Sequence, residues 1–427
     1  MEFERREAAR AIRESYDSII KADKGNGLRI LFLALTVDVG AYQGDSTHVI
    51  ELISNLRQMG HRIRWIARQS RNRETWPDPL FHCVSRAPKP NSDLLRLIQL
   101  LFSMARGAYY IFRHTRSCDL MYSRDRFSLL LALIPSRIFH KPLVYEVNGL
   151  TSEQRKMHGG HFLNRLYVRL LETLDEVAFK NAVSVVCVTD AIRDFYCARH
   201  HDYADKFRTV NNGVNTKLFR PLPIGGEVTE LRKYLGFDEG DEVVAYVGNL
   251  ALWQGVEYLV RSAPIVLKEN LAVKFMIVGN GPTYSQCLAL ADELGVGDKF
   301  KFVGKVGYTS LGHYVNVADV CVAPYTREIP NCPIKIYEYL ACGKPVVCSD
   351  IPGVNNLKRA DVLVFVEPEN PQALASALLK VLANLNLRTA QRELGPKAVA
   401  GYSWVDTASK VAAICSEAVR KTLATPA

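Results

Sequence analysis

Short apolar runs and amphipathic stretches alternate along the chain, and this alternation predicts strands and helices in turn. Leu28 to Leu35 forms an apolar run, and a glycine-containing loop and a helix that ends at Gly60 separate it from the next run, Ile63 to Ala67. The pattern restarts in the second half with runs at Glu242 to Val247 and Lys274 to Val278. Strand, loop, helix and strand make up the βαβ unit of a parallel sheet. The pattern therefore predicts an α/β protein with two doubly wound, Rossmann-like domains.

The bulk composition limits the class of protein. The 427 residues, 48% of them hydrophobic, leave room for two domains of about 200 residues each with full cores. No apolar run reaches the roughly 18 residues of a membrane-spanning helix, and the first residues lack the apolar core of a secretory signal. The ten cysteines are scattered singly, which predicts a reduced, cytoplasmic compartment and no structural zinc site.

The net charge of +10 is concentrated in the first half of the chain. Residues 1–220 contain 34 Lys and Arg against 23 Asp and Glu, a balance of +11, whereas the rest has 20 against 21. A basic half favours nucleic acid, an anionic membrane surface or an anionic acceptor. Because no aromatic-rich nucleic-acid motif accompanies the charge, we expect no nucleic-acid partner and favour peripheral association with an anionic membrane, at the inner face of the plasma membrane.

Two segments are candidates for a membrane contact. Residues 2–24 place apolar side chains on one helical stripe and predict an amphipathic N-terminal helix. This helix could pack on the protein itself, on a partner or on a membrane, and packing on the protein is the stronger hypothesis. Residues 92–116 are strongly apolar and are interrupted and flanked by arginines. They fit either a helix in the membrane interface or a domain helix whose arginines extend into water.

The stretch from Tyr325 to Leu357 holds the clearest candidate for chemistry. It predicts a turn around prolines, a short helix that stops at Gly343, and a buried strand. Lys335 and Glu338 are three residues apart, so they share one edge of that helix, away from its apolar face. A lysine in the first turn suits a bound phosphate, because that end of the helix is itself positive. A solvated ion pair between the two side chains is the alternative.

The segment PNCPIKIYEYLACGKPVVCSDIPG resembles the donor-site signature of the retaining glycosyltransferases of the GT-B fold, specifically glycosyltransferase family 4. The resemblance implies that Glu338 binds the ribose hydroxyls of a nucleotide-sugar. The first glutamate of the family's Glu-x7-Glu motif is replaced here by Pro330. A branch of the family with a Ser/Cys-Pro-x-Lys-x-x-Glu-Tyr pattern shows the same loss. There the lysine resembles a diphosphate ligand, and Lys335 matches it. Asn331 and Ile334 belong to this signature and are assigned to the donor site with it.

Further segments of the second half resemble the family in order. In the loop after Val247 the family usually has two cations that grip the diphosphate, and here Asn249 and Gln254 stand in their positions. Gly279 and Gly281 resemble the Val-Gly-x-Gly turn, for which a plain tight turn is an equal alternative. Val306 lies in the strand and loop that, by resemblance, bracket the nucleobase. All five residues are therefore candidates for donor binding.

Two segments of the first half also resemble the family. Gly44 and Asp45 lie in a loop similar to the one that approaches the donor diphosphate and the acceptor. Leu143 to Gly149 resembles the Glu-Val-His-Gly or Glu-Val-Asn-Gly segment near the reacting sugar. Glu146 and Asn148 are therefore catalytic candidates beside Lys335 and Glu338. The alternative for the loop of Gly44 and Asp45 is a purely structural βα turn. The alternative for Glu146 is a glutamate that only orients its loop.

The resemblance covers nearly all of residues 28–420 and implies a GT-B fold whose two domains face a cleft. We expect an acceptor-side domain over residues 1–222, a nucleotide-sugar domain over 223–405, and a helix over 406–427 that returns to the first domain. The implied reaction is retaining, metal-independent transfer of a sugar from a nucleotide-sugar donor to a lipid-linked or polysaccharide acceptor in cell-surface glycan assembly, with no cofactor. Two other hypotheses stay open, a nucleotide-sugar epimerase of the same fold and a nucleotide-sugar-binding scaffold without turnover.

Overall fold

The computed structural model describes residues 27–39, 44–69, 78–85, 93–150, 162–223, 225–327 and 334–424. The helix predicted over residues 2–24 lies outside these ranges, as do Pro330 and Asn331. Within them the chain divides into two compact units, one made of residues 27–212 with 404–424 and the other of Gly213–Ser403. Each unit is an α/β domain built on its own parallel sheet, which confirms the predicted fold class.

The first domain alternates strands with helices. Its elements are β1 (Arg29–Asp38), α1 (Gly44–Gln58), β2 (Arg62–Arg68), β3 (Phe81–Cys83), α2 (Asp93–Thr115), β4 (Leu120–Ser123), α3 (Arg126–Ile138), β5 (Leu143–Val147), α4 (Phe162–Asn181), β6 (Ser184–Cys187), α5 (Asp190–Cys197) and β7 (Phe207–Thr209). The described strands form one sheet in the order β3-β2-β1-β4-β5-β6-β7, and every neighbouring pair is parallel.

Helices cover both faces of this sheet. Ile30 and Phe32 of β1 join one core cluster with α1, whereas Leu31 and Leu33 join a second cluster with α2 and α3. Burial on both faces explains why the strands are near-continuous apolar runs in the sequence. The strand order changes direction between β1 and β4, and in doubly wound sheets ligands bind at such a point, beyond the carboxyl ends of the strands.

The second domain repeats this architecture. Its elements are α6 (Gly226–Tyr234), β8 (Glu242–Val247), α7 (Val256–Glu269), β9 (Val273–Val278), α8 (Tyr284–Glu293), β10 (Phe300–Gly304), α9 (Leu311–Val317), β11 (Val320–Ala323), α10 (Ile334–Ala341), β12 (Val346–Ser349), β13 (Leu363–Val366), α11 (Pro371–Ala383) and α12 (Leu385–Ala398). The parallel strands follow the order β10-β9-β8-β11-β12-β13, so the direction changes between β8 and β11. Val243 and Val244 of β8 face separate core clusters on the two sides of the sheet.

The last helix, α13 (Trp404–Ala424), belongs to the first domain. Its residues Ala408, Val411 and Cys415 are buried in the core cluster that contains β1 and α1. The chain passes between the domains at residues 212–213 and 403–404, somewhat before the boundaries expected after residues 222 and 405. Among the helices described above, none combines the length and the apolar character needed to cross a bilayer.

Candidate active site

Lys335, the second residue of α10, reaches the carboxyl end of β8. Its Nζ donates to the Tyr246 hydroxyl at 2.6 Å and to Gln254 Oε1 at 2.5 Å. The ammonium lies 4.1 Å from the centre of the Tyr246 ring and 5.3 Å from that of Tyr325, which follows β11. Because β8 and β11 flank the point where the strand order changes direction, Lys335 lies where doubly wound sheets bind ligands.

The surroundings of Lys335 favour the approach of an anion. Burial lowers the pKa of Lys335 from 10.5 to about 7, and the nearby Glu338 carboxylate opposes this shift only in part. The phenol and the amide that accept its hydrogen bonds are neutral, so they hold the ammonium in place without compensating its charge. A diphosphate would supply that compensation through charge-assisted hydrogen bonds.

The structure corrects the expectation that Lys335 and Glu338 lie away from the buried face of their helix. Glu338 is only 8% exposed, and Lys335 is half-buried. The helix α10 has no polar side facing water, because four of its other side chains are fully covered: Ile336, Tyr337, Tyr339 and Leu340. A solvated ion pair, the alternative for this spacing, does not fit such burial.

Glycines let the loops after β8 and β9 pack closely beside the lysine. A Cβ at Gly248 would lie 2.8 Å from the Lys335 Nζ, and one at Gly279 would lie 1.8 Å from the Gly248 carbonyl oxygen. Gly279 also has a φ of +132°, which favours glycine. At Gly281 a Cβ would lie 2.6 Å from the Asn249 Oδ1. Three predicted donor-site residues, Asn249, Gly279 and Gly281, therefore lie together beyond the strand ends.

Four further donor-site candidates lie in the described part of the chain. Ile334 begins α10 and is half-buried. Val306 follows β10 and packs against the core cluster that includes residues of β8 and α10. Gly44 and Asp45 begin α1 in the first domain, where the Asp45 carboxylate accepts a hydrogen bond from the Ser46 amide at 2.8 Å. The assignment of Gly44 and Asp45 to donor binding stays a prediction.

A buried carboxylate network occupies the carboxyl ends of β4 and β5 in the first domain. Glu146 of β5 is 1% exposed and accepts hydrogen bonds from the Tyr122 hydroxyl and, at 2.8 Å, from Asn148 Nδ2. His48 Nε2 lies 3.1 Å from one carboxylate oxygen, and Arg124 Nε lies 3.3 Å from the other. Both oxygens of Glu146 therefore have protein partners.

These partners decide the charge and the role of Glu146. Burial alone raises the pKa of Glu146, but His48, Arg124 and Tyr122 together outweigh burial and lower that pKa to about 2. A carboxylate that is ionised and already paired is a poor proton acceptor. Arg124 Nη2 in turn donates to Asn148 Oδ1 at 3.2 Å. Of the two interpretations open for Glu146, the geometry favours a carboxylate that orients Asn148 and Arg124.

His48 connects this network to the last helix. Its Nδ1 lies 2.7 Å from Asn212 Oδ1, and its ring meets that of Trp404 edge-on at 5.2 Å. The histidine is therefore enclosed by the first domain rather than open to a substrate. Within the described ranges, no three His, Cys, Asp or Glu side chains are grouped closely enough to hold a metal ion.

Two residues of the second-domain site were not among the sequence candidates. Tyr246 accepts a hydrogen bond from Lys335, and Gly248 leaves room for the lysine side chain, yet a tyrosine inside an apolar strand is typical of a core position. Their position could have identified both residues, because ligands bind at the carboxyl ends of parallel strands. Tyr122 of the first-domain network was missed as a contact of Glu146 for the same reason.

Two family models match the chain, one in each domain. The model described as Glycosyltransferase Family 4 matches residues 42–218, and the model described as Glycosyl transferases group 1 matches residues 241–384. Together the two matches cover well over half of the chain, and they agree with the resemblance found in the sequence.

Two curated relatives extend over different shares of the chain. An uncharacterized glycosyltransferase of Methanocaldococcus jannaschii is 27% identical over 248 residues, which cover 57% of this chain and 62% of that protein. The D-inositol 3-phosphate glycosyltransferase of Thermobispora bispora is 22% identical over 404 residues, which cover 88% of this chain and 90% of that protein.

A solved structure supports the fold of both domains. Anabaena HepE, in a crystal structure with UDP-glucose, is similar over 91% of this chain and 100% of that chain, with a TM-score of 0.72 and 19% sequence identity. At that identity the similarity is evidence of the fold alone. The family models, the relatives and the fold agree, and the chain therefore belongs to the group 1 glycosyltransferases of the GT-B fold, in glycosyltransferase family 4.

Proposed function

We propose that this glycosyltransferase transfers a sugar from a nucleotide-sugar to a hydroxyl of a lipid-linked or polysaccharide acceptor, with retention of configuration and without a metal ion. We further propose that it acts in cell-surface glycan biosynthesis, in the cytoplasm at the inner face of the plasma membrane. The observation that carries the donor assignment is Lys335, whose ammonium is held by two neutral oxygens at the switch point of the second sheet.

The donor would bind with its diphosphate beside Lys335 and its ribose beside Glu338. The two residues are one helical turn apart on α10, so a diphosphate and an adjacent ribose can be bound by the same helix. Anabaena HepE, which shares the fold, was solved with UDP-glucose, and this supports a nucleotide-sugar donor here. The base and the sugar are left open by this proposal.

In the proposed reaction, the bond between the sugar C1 and the diphosphate oxygen breaks as the acceptor oxygen bonds to C1 from the same face. The acceptor proton passes to an oxygen of the departing diphosphate, so no side-chain base is required. Lys335 stabilises the negative charge that grows on the diphosphate, which is the task a metal ion performs in other transferases. Glu146 takes no proton on this account, in agreement with its paired carboxylate and the low pKa of Glu146.

The test is to incubate the protein with a panel of nucleotide-sugars and lipid-linked or polysaccharide acceptors and to measure nucleoside diphosphate release. We expect release that depends on the acceptor and persists with a chelator, and a product with the anomeric configuration of the donor by NMR. Conversion of the donor without an acceptor would instead identify an epimerase. Donor binding without release under any condition would identify a binding scaffold, and either result would refute the proposal.

A further inference from the structure

Large apolar side chains are exposed at high density on α2, α3 and α4 of the first domain. Of the 21 large apolar residues that are exposed in the described part of the chain, eleven lie on these three helices. They include Phe102 with 66% exposure, Ile134 with 68% and Leu166 with 56%. Single exposed apolar residues are normal on a soluble surface, but a concentration of them marks an interaction site.

The three helices form one layer on the same side of the first sheet. The middle helix, α3, packs against both α2 and α4. Ile111 of α2 and Ala132 of α3 point inwards and belong to the core cluster under this layer, so the exposed residues lie on its outer side. The rings of Phe112 and Phe139 are 5.5 Å apart and connect the outer sides of α2 and α3. We define the outer face by six exposed residues of this layer: Leu101, Phe102, Phe112, Ile134, Ile138 and Leu166.

The charge on and around the outer face is mainly positive. Six exposed arginines lie on or directly after the three helices: Arg106, Arg113, Arg116, Arg137, Arg165 and Arg169. No Asp or Glu occurs in residues 98–118, 126–141 or 162–171. Arginines also lie beside aromatic rings, since Arg113 Nη1 donates to the Tyr109 hydroxyl at 3.4 Å. The exposed Glu172 and Glu176 lie further along α4, after the stretch that contains Leu166. Apolar and cationic side chains therefore dominate the outer face, and the six arginines outnumber these two carboxylates.

The charge of the outer face favours a membrane over a second copy of the chain as its binding partner. A second copy of the chain in a two-fold dimer would place the same patch against itself, and the arginines of the two copies would repel each other. A membrane with anionic lipids complements both properties, because phosphates pair with the arginines while apolar side chains enter the interface.

We infer that the outer face binds the surface of a membrane that contains anionic lipids. The inference assigns the contact to three helices rather than to residues 92–116 alone. It rests on the proposed function only in that a lipid-linked acceptor would be encountered at such a surface.

The inference is tested by sedimentation of the purified protein with vesicles of phosphatidylcholine alone or mixed with phosphatidylglycerol, without donor or acceptor. We expect binding to the mixed vesicles only, and weaker binding as the salt concentration rises. Each arginine near an anionic surface strengthens binding about fivefold, so the double variant R106E/R113E should bind at least about 25-fold more weakly. The variant L101S/F102S should lose at least about tenfold, because two large apolar groups no longer enter the interface.

The matched control is the variant L271S/L385S, which changes two leucines of the second domain with 73% and 67% exposure. We expect it to bind vesicles as the wild type does, and circular dichroism and donor binding should show that all variants are folded. Equal binding to both vesicle types, no binding at all, or an equal loss in the control would overturn the inference. Dimerisation without vesicles that L101S/F102S abolishes would instead assign the outer face to a second copy. Since no transfer is measured, these results are independent of whether the proposed reaction occurs.

Discussion

Substitution of Lys335 by methionine should weaken donor binding and also remove its pH dependence. Methionine keeps most of the apolar stem but lacks the ammonium that Tyr246 and Gln254 hold at 2.6 and 2.5 Å. If the diphosphate binds beside this ammonium, the variant loses the charge-assisted hydrogen bonds to it. Such bonds contribute about 1.5–3 kcal/mol, so the dissociation constant for a nucleotide-sugar should rise roughly 10- to 100-fold.

The pH dependence follows from the pKa of Lys335, which burial lowers to about 7 in the free protein. Binding of the diphosphate requires the protonated lysine, so affinity is near its maximum at pH 6 and decreases as the pH rises through 7. With a pKa of about 7 for Lys335, the affinity of the wild type should fall about tenfold between pH 6 and pH 8. The methionine variant has no group at this position that titrates, so its weak binding should stay level over the same range.

Isothermal titration calorimetry with a nucleotide-sugar, whose diphosphate does not titrate in this range, measures both effects. The control is Lys344→Met, which removes a second half-buried ammonium of the same domain that donates to the Asn316 and Ala318 carbonyl oxygens at 2.8 Å. This control should lower the melting temperature and leave the donor affinity of the folded protein unchanged. A wild-type affinity that is level from pH 6 to 8, or an unchanged affinity in Lys335→Met, would refute the assignment of Lys335.

Three further substitutions test the other contacts. Glu338→Ala should weaken donor binding about tenfold by calorimetry through loss of the ribose contact. It should also move the pH midpoint of binding below that of the wild type, because the Glu338 charge raises the pKa of Lys335. Glu146→Gln should destabilise the fold by about 3–5 kcal/mol at pH 7 in urea unfolding, since the buried Arg124 loses its counter-charge. This difference should shrink as the pH falls from 4.5 towards 2, because the stabilisation from a lowered Glu146 pKa is lost on protonation. Gly279→Ala should lower stability by about 1–3 kcal/mol in the same assay, because its Cβ would collide with the Gly248 carbonyl.

The fold was predictable because both sheets are covered on both faces. A strand buried in this way is apolar at most positions, so Leu31 and Phe32, which face opposite sides of β1, are both large and hydrophobic. The loops and helices between the strands then give the βαβ order directly. The boundary between the domains was less predictable. Residues 213–222 already belong to the second domain, but no change in composition marks its beginning.

The spacing of the candidate residues was predictable from the sequence, but their environment was not. The spacing of Lys335 and Glu338 shows that they share one edge of a helix, whereas burial of that edge depends on residues distant in the sequence. Tyr246, which accepts a hydrogen bond from Lys335, is 89 positions away in the chain. The same limit applies to Glu146, whose partner His48 lies 98 positions before it. Long-range contacts of this kind set the pKa of each group, and no local pattern encodes them.

The neutral side chain of Gln254 helps Lys335 to keep its charge. The resemblance to the family places a cation at position 254, and its head group would then lie about where Gln254 Oε1 now accepts from Lys335 at 2.5 Å. Two cations at that distance would repel each other, and the pKa of Lys335, already lowered to about 7 by burial, would fall further. A lysine on α10 and a cation at 254 are therefore poor neighbours, whereas an amide at 254 accepts from the ammonium and fixes its position. This compatibility supports the proposal that Lys335 takes the place of the loop cation in binding the diphosphate.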